Sequence, residues 1–430
     1  HDIRRLHFLL PLGIFSIVVI LIYLNPLLTG SMFQVNDIES QIFPWKHFLY
    51  TELVGHHSLP LWNPYVLCGT PFLGNIQANI FYPPSVLTLL SPTFGITLNI
   101  IFHHIMGGFF AYLLCRSFKI SVPGAIISGL IYAFYPELFS LTISIGGIFG
   151  LQPLTWFPLI LYVFKKAMDT PRIVQALRYA LLTGVIIAVQ ILGGSPMGAF
   201  VSQGSLFGLV ILSSIHLIFA KKYLIFWQRI ILLASAFVSG YALSALQLLP
   251  TWELAFFSHR ASGVSLDTAG IGSIDWKIFF ATFIMPSSVH PGIWGLPVGV
   301  GNLIFILLTL TGVFTLWPKS LRGLSIFWAL FCLSLFFSIG QHNPIFPLLY
   351  HLPGFNLFRT PQGWALLTLL CLTILIGAGV DRVFSLAKGK DPVYRVAQAL
   401  FLIVSLASLA SALGVFILGG DLSIAKGLFS

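Results

Sequence analysis

Runs of about twenty apolar residues recur from one end of this 430-residue chain to the other, and they limit its folding more than any motif does. As a helix, each run is long enough to cross roughly 30 Å of hydrocarbon. Strands of a transmembrane barrel would alternate apolar and polar residues instead of running continuously apolar. Charged residues make up 8% of the chain, against about a quarter in soluble domains, so an ordinary soluble protein is excluded. The pattern predicts an all-α, polytopic helical membrane protein. Eleven spans are expected, at about 6–24, 95–115, 120–138, 152–167, 173–192, 198–219, 229–249, 298–317, 324–340, 361–380 and 396–418.

The basic residues then set the orientation, because cytoplasmic loops collect Lys and Arg. With the N-terminus cytoplasmic, 17 of the 22 basic residues fall on the inner side. The outer side keeps Lys46, Arg260, Lys277, Arg359 and Lys426. Acids divide the other way, with four inside and eight outside, so the inner face carries +13 and the outer face −3. One frame satisfies every loop in turn. The excess of positive charge is therefore a membrane signal, and nucleic acid is not a partner. The chain's C-terminus is expected outside.

Inner connections are short, such as CRSFK and FAKKYLIFWQR, whereas the outer ones span 25–94, 250–297 and 341–360. Recognition and chemistry belong on the outer side, because short basic turns cannot build a site. No repeat and no linker divides residues 1–430, which read as one membrane domain. The opening HDIRR and its apolar run lack a small-residue cleavage site and read as a retained first span. Of the four cysteines only Cys68 lies in a clear loop, so no disulfide framework is implied.

The first outer loop, Phe33 to Pro84, is dense in specific residues. From Asp37 to Val54 it is amphipathic, with Ile38, Ile42, Trp45, Leu49 and Leu53 at helical spacing, to lie on the membrane or under the bundle. The clusters PLWNPY, GTPF and FYPP then break regular structure and stiffen the loop with proline. A second amphipathic piece is expected at Ile274 to Ile284. Asp37 has two readings. A carboxylate just above the bilayer can take a proton from a hydroxyl, with Gln41 a turn further on sharing its face. Alternatively, Asn36 and Glu39 form an N-x-x-E capping box and Asp37 sits at the favourable end of the helix dipole.

Arg359 and Arg260 stand beside span ends in apolar surroundings, LPGFNLFRTPQGW and FFSHRASG. Each is suited either to grip a phosphate by a bidentate fork or to snorkel to lipid headgroups. Glu253 is placed to pair with Arg260. The adjacent His103 and His104 lack the i, i+4 spacing of a metal pair and are expected to line a cavity as polar groups. Gly193, Gly194, Ser195 and Pro196 form a tight outer turn whose glycines signal close backbone approach. No phosphate loop, dinucleotide fingerprint or HExxH occurs.

DIESQIFP at 37–44, LPLWNPY at 59–65, GTPF at 69–72 and NIQANIFYPP at 75–84 resemble the YfhO family of bacterial membrane proteins. ISGLIYAFYP, WFPLIL, ALQLLPTWE with SHR, and LPGFNLFRTPQG extend the resemblance over nearly the whole chain in order. Two departures stand out. Gly194-Ser195-Pro196-Met197 replaces the family's G-H-P-Q, and Arg359-Thr360-Pro361-Gln362-Gly363 lacks the second Arg of R-x-P-x-R. Longer family members lead to the expectation of a further C-terminal part. The family is grouped by resemblance with type-C glycosyltransferases, multi-span enzymes of the plasma (inner) membrane that use polyprenyl-phosphate sugars on the outer face. The resemblance implies that Asp37 is catalytic, in an inverting transfer from such a donor to a cell-envelope glycan or lipid acceptor. It also implies substrate contacts from Glu39, Gln41, Trp62, Asn63, Asn75, Gln77, Arg260 and Arg359, with the two arginines holding the lipid phosphate. A divalent cation is compatible with this chemistry, but no ligand set in the sequence supports one. The alternative is a non-catalytic lipid or glycan transporter or assembly partner. Mid-span charge is nearly absent, which disfavours a transmembrane pathway for ionisable cargo.

The charge asymmetry makes a direct prediction. Single cysteines at Ser58 and Ser265 should react with an impermeant reagent on intact cells, and one at Ser320 should not. Labelling at Ser320 alone would invert the topology.

Overall fold

The computed structural model describes residues 2–32, 37–134, 148–258, 261–273, 325–352, 354–359 and 361–387, with side chains 2–7, 148–149, 325, 362 and 382–387 excepted. Nine of the eleven expected spans coincide with helices here: α1 (Asp2–Ile22), α4 (Pro92–Ser117), α5 (Val122–Phe134), α6 (Ile148–Asp169), α7 (Ile173–Leu192), α8 (Pro196–Phe219), α9 (Tyr223–Phe256), α11 (Ser325–Ser338) and α13 (Ala365–Ala387). The short helices α2 (Leu24–Thr29), α3 (Phe43–Tyr50), α10 (Leu266–Gly270) and α12 (Phe346–Tyr350) lie between them. Expected spans 298–317 and 396–418, and the amphipathic piece at 274–284, lie outside the described residues. Among the described residues, α4, α7, α8 and α9 are long and apolar enough to cross a membrane. Shorter apolar helices cover Phe8–Ile22, Val122–Phe134, Ile326–Ser338 and Ala365–Asp381. The eleven crossings therefore remain an expectation.

Two long helices begin with the same dipeptide. Ser91 and Ser195 precede Pro92 and Pro196, and each hydroxyl accepts a backbone N–H three residues on, Phe94 and Gly198, at 3.4 Å. Proline at the first helical position sacrifices no hydrogen bond, and the serine satisfies an otherwise orphaned donor. α4 is the centre of the bundle, with Ile96, Ile100, Phe109, Leu114 and Cys115 buried. Around it pack α1, α5 and α6, with α7 against α6 and α9 against α7.

Small residues let these helices approach. In lipid the hydrophobic effect does not drive helix together with helix, so close packing and hydrogen bonds must. At the crossing of α7 and α9, a Cβ on Gly184 would lie 1.9 Å from Ser239 Oγ and 2.7 Å from the Ala236 carbonyl. Several polar side chains in the interior bond to the backbone of a neighbouring helix. The Tyr132 hydroxyl donates to the Leu154 carbonyl at 2.7 Å, and Gln190 Nε2 donates to the Pro153 carbonyl at 2.9 Å.

The outward faces are greasy. α9 exposes Leu243, Leu246, Leu249, Trp252 and Phe256, and α7 exposes Ile173, Val174, Leu177, Leu181 and Val185. Water does not tolerate apolar stripes of this length on a monomer, whereas lipid does. This is a helical membrane protein.

The helix ends also meet as alternating crossings require. Near the end of α13 the Asp381 carboxylate accepts the Ser121 backbone N–H at 2.6 Å and the Ser121 hydroxyl, at the start of α5. At the opposite end of the bundle, Asn79, Gln152 and Gly193 come together.

Gly184→Val tests the packing rule. The added branches meet a backbone carbonyl that cannot swing away, and overpacking of this kind costs about 1–3 kcal/mol. The purified variant should show a lower melting temperature by intrinsic fluorescence, and an unchanged one would remove Gly184 as a contact point.

Candidate functional site

The loop between α2 and α4 is a continuous helical run followed by a chain of turns. α3 is extended by a π-helical turn at each end, Ile38–Ile42 and Thr51–Gly55. The amphipathic stripe lies under the loop, against protein. Ile38 and Ile42 join the main core, while Leu49 packs with Phe48, Phe72 and Ala78, flanked by Trp45 and Leu53. Beyond it, Trp62–Asn63 (β1) pairs antiparallel with Thr70–Pro71 (β2).

Buried polar contacts fasten this loop to the helices. Asn79, left-handed at φ 55°, donates from Nδ2 to Gln152 Oε1 at 2.8 Å and to the Gly193 carbonyl at 3.2 Å. Gly194 must be glycine here: its φ is +80°, and a Cβ would sit 2.3 Å from Asn79 Oδ1. The close approach read from the paired glycines is therefore real, and it is the loop that approaches. The Tyr82 hydroxyl accepts from Trp156 Nε1 at 2.8 Å and pairs with His103 Nε2 at 2.5 Å. Asn99 Nδ2 donates to the Pro84 carbonyl at 2.9 Å, and Gln247 Nε2 to the Leu73 carbonyl at 2.8 Å.

Histidines 103 and 104, expected as polar cavity lining, are packed against backbone carbonyls. Both are fully buried, with Nδ1 against the Asn99 carbonyl at 2.6 Å and the Ala133 carbonyl at 2.7 Å respectively. They satisfy buried backbone, which is why two adjacent residues on different helix faces are both used. Among the described residues no three His, Cys, Asp or Glu side chains gather as a metal site.

Asp37 stands at the head of the loop helix, half-buried, and its side chain makes no capping bond. Burial raises its carboxyl above the ordinary 3.8. Asn36, the other half of the expected capping box, lies outside the described residues, and Glu39 and Gln41 are exposed. Glu52, further along, accepts from the Ser58 hydroxyl at 2.7 Å and contacts His56 Nδ1 at 3.2 Å. Those two hydrogen bonds, Ser58 first, hold its carboxyl below the usual range.

The turn residues have structural duties. Asn63 is buried and its Oδ1 accepts the Tyr65 N–H at 2.9 Å; Asn75 Oδ1 accepts the Gln77 N–H at 3.1 Å. Trp62 is exposed and lies across Gly69, where a Cβ would be 2.5 Å from its ring.

Arg359 is exposed at the edge of a shallow aromatic cleft, whose lining includes Met197, Phe200, Phe337, Phe355 and Trp364. Phe355 and Trp364 stack at 5.7 Å between centroids. Asp37 borders neither this cleft nor a second one under the loop, lined by Leu49, Leu53, Ile80, Tyr82, Ser85 and Leu89 among others. Arg260 lies outside the described residues, and Glu253 is exposed.

No protein-family model matches this chain, and no curated protein matches it. Among solved structures it is similar to the crystal structure of the Archaeoglobus fulgidus oligosaccharyltransferase in complex with zinc and sulfate, at 15% identity and a TM-score of 0.43. The likeness covers 92% of this chain and 51% of that one, so the chain spans about half the length of that protein.

Sequence reasoning missed Lys46, counted among the charges of the outer face. It is buried, and its ammonium donates to the Ala78 carbonyl at 2.8 Å and to Ser85 Oγ at 2.9 Å. The signal was present, because Lys46 continues the i, i+4 series of Ile38 and Ile42 on the buried stripe. Burial pushes its pKa from 10.5 down to about 7. Between those values the unfolded chain holds a proton that the folded one has released, so stability rises with pH through that window and is lost as pH falls toward about 7. The melting temperature of the purified protein should climb from pH 7 to pH 9.5 relative to that of Lys46→Met, which has no such proton to lose. Parallel pH profiles would refute the buried lysine.

Proposed function

We propose that this chain is a membrane glycosyltransferase-like enzyme of the plasma (inner) membrane. It transfers a sugar from a polyprenyl-phosphate donor to a hydroxyl of a cell-envelope glycan or lipid, at the outer face. The motif series from DIESQIFP to LPGFNLFRTPQG, with its resemblance to the YfhO family and through it to type-C glycosyltransferases, supplies the reaction class.

Asp37 carries the reading. Its carboxylate is not consumed as a helix cap, it opens a helix clamped onto the bundle, and burial raises its proton affinity. Each is what a general base needs. In the reaction, Asp37 takes the proton of the acceptor hydroxyl while that oxygen forms a bond to the anomeric carbon. The bond from that carbon to the phosphate oxygen breaks on the opposite face, inverting the centre and releasing polyprenyl phosphate. Arg359 holds the departing phosphate by its planar fork, next to an aromatic cleft suited to an apolar neighbour.

One observation favours the alternative, a non-catalytic transporter or assembly partner: Asp37 is absent from the lining of the cleft that Arg359 borders. Two substitutions separate the readings in an assay of labelled sugar transfer from synthetic polyprenyl-phosphate donors to cell-envelope fractions. Asp37→Asn preserves size and capping ability. It should lower the rate by about 10²–10⁴-fold in a protein that inserts normally. Arg359→Lys keeps the charge and the reach to headgroups but loses the fork, so apparent donor affinity should weaken. Wild-type rates in Asp37→Asn would end its role as base. Unchanged donor affinity in Arg359→Lys would make it a headgroup anchor and move the phosphate to Arg260.

A further inference from the structure

The tip of the first outer loop carries apolar side chains that none of the described residues covers. Leu61, Trp62, Tyr65 and Leu67 are 58%, 54%, 82% and 87% exposed. Leu67 and Cys68 hold left-handed backbone at φ 51° and 62°, a conformation that a branched apolar residue rarely adopts. No Asp, Glu, Lys or Arg occurs from Leu53 to Ser91.

The long helix α9 serves as a ruler for where this tip lies. Its basic end is marked by exposed Lys221 and Lys222 just before it, and by Arg229. At about 1.5 Å per residue, Gln247 stands about 27 Å beyond Arg229 and about 36 Å beyond Tyr223. Those distances bracket the roughly 30 Å of a hydrocarbon core. Gln247 therefore marks the far edge of the bilayer, and its side chain is bonded to the Leu73 carbonyl at 2.8 Å. Leu73 is in turn one bond from the tip, because the Leu61 carbonyl accepts the N–H groups of Phe72 at 2.9 Å and Leu73 at 3.2 Å. Gly74 packs on Leu254 and the Pro250 carbonyl of the same helix.

We propose that this tip is an interfacial anchor, seated in the headgroup and glycerol layer of the outer leaflet. On α9 the exposed Leu246, Leu249 and Trp252 lie within about 8 Å of Gln247 along the helix axis, so apolar surface is available on both elements near that level. Trp and Tyr favour that layer, where one edge of the ring is wet. A neutral tip fits lipid rather than a charged protein partner. The anchor ties the catalytic-loop helix to the membrane surface from its far end, and it stands whether or not Asp37 is a base.

The test uses the native thiol at the tip. Cys68 is exposed, Cys115 and Cys371 are buried, and Cys332→Ser removes the remaining exposed thiol. A fluorophore on Cys68 of the full chain in phosphatidylcholine nanodiscs should be quenched at least threefold more by nitroxides on the headgroup or lipid carbon 5 than by iodide in the water. In Leu61→Ser/Leu67→Ser, which alters exposed side chains only, the lipid quenching should fall by half or more. Quenching by iodide without quenching by lipid would overturn the anchor, with the tip standing in water. Loss of lipid quenching together with Cys68-to-Cys68 cross-linking would overturn it in favour of a second copy of this chain.

Discussion

A polar group taken out of water has to be met inside the protein, and in this molecule that demand falls most heavily on the seat of the loop between α2 and α4. Asn79, Tyr82 and Lys46 are nearly inaccessible, and each reaches a partner far along the chain or across the loop. Gln247 adds a bond to the Leu73 carbonyl, and Ile38, Ile42 and Ile76 add apolar burial in the main core. The helix bearing Asp37 is thus held by two unlike forces. Its apolar stripe is driven under the loop by burial, and its lysine is fixed in place by two acceptors.

Much of this was legible in the sequence. Apolar runs mark the helices because lipid asks for little else, and Ser-Pro marks two helix starts because capping chemistry is local. The stripe Ile38, Ile42, Leu49 announced the buried side of the loop helix, since helical periodicity is a property of neighbours. The paired glycines at 193 and 194 signalled close approach. What they approached was hidden, because Asn79 lies 114 residues from its Gly193 partner. The same reason concealed His103. Adjacent histidines look like a polar lining until the Tyr82 hydroxyl, 21 residues away, is brought to one of them. Lys46 misled through its chemistry: a lone lysine in an outer loop reads as surface charge, although its place on the stripe already put it inside.

The candidate site divides in the same way. Asp37 stands out by its position after the first span, and its local environment suits a base. Arg359 stands out as a cation beside aromatics, and it borders an aromatic cleft. Asn63 and Asn75, read as substrate contacts from motif position, are occupied in turns. Motifs rich in Asn, Pro and Gly are ambiguous for this reason. The residues that shape a binding loop are the same types that would bind a sugar.

The bond from Gln247 to the Leu73 carbonyl joins residues 174 apart in the chain. During synthesis the loop is made well before the helix that fastens it. At about 5–20 residues per second that interval is on the order of ten to thirty seconds. For that time the Leu73 carbonyl has no Gln247 to meet, and for much of it Asn79 has no Gly193. A neutral, proline-stiffened segment that can rest against lipid is well fitted to such a wait. Fastening of the loop at Leu73 therefore follows the synthesis of α4 to α8.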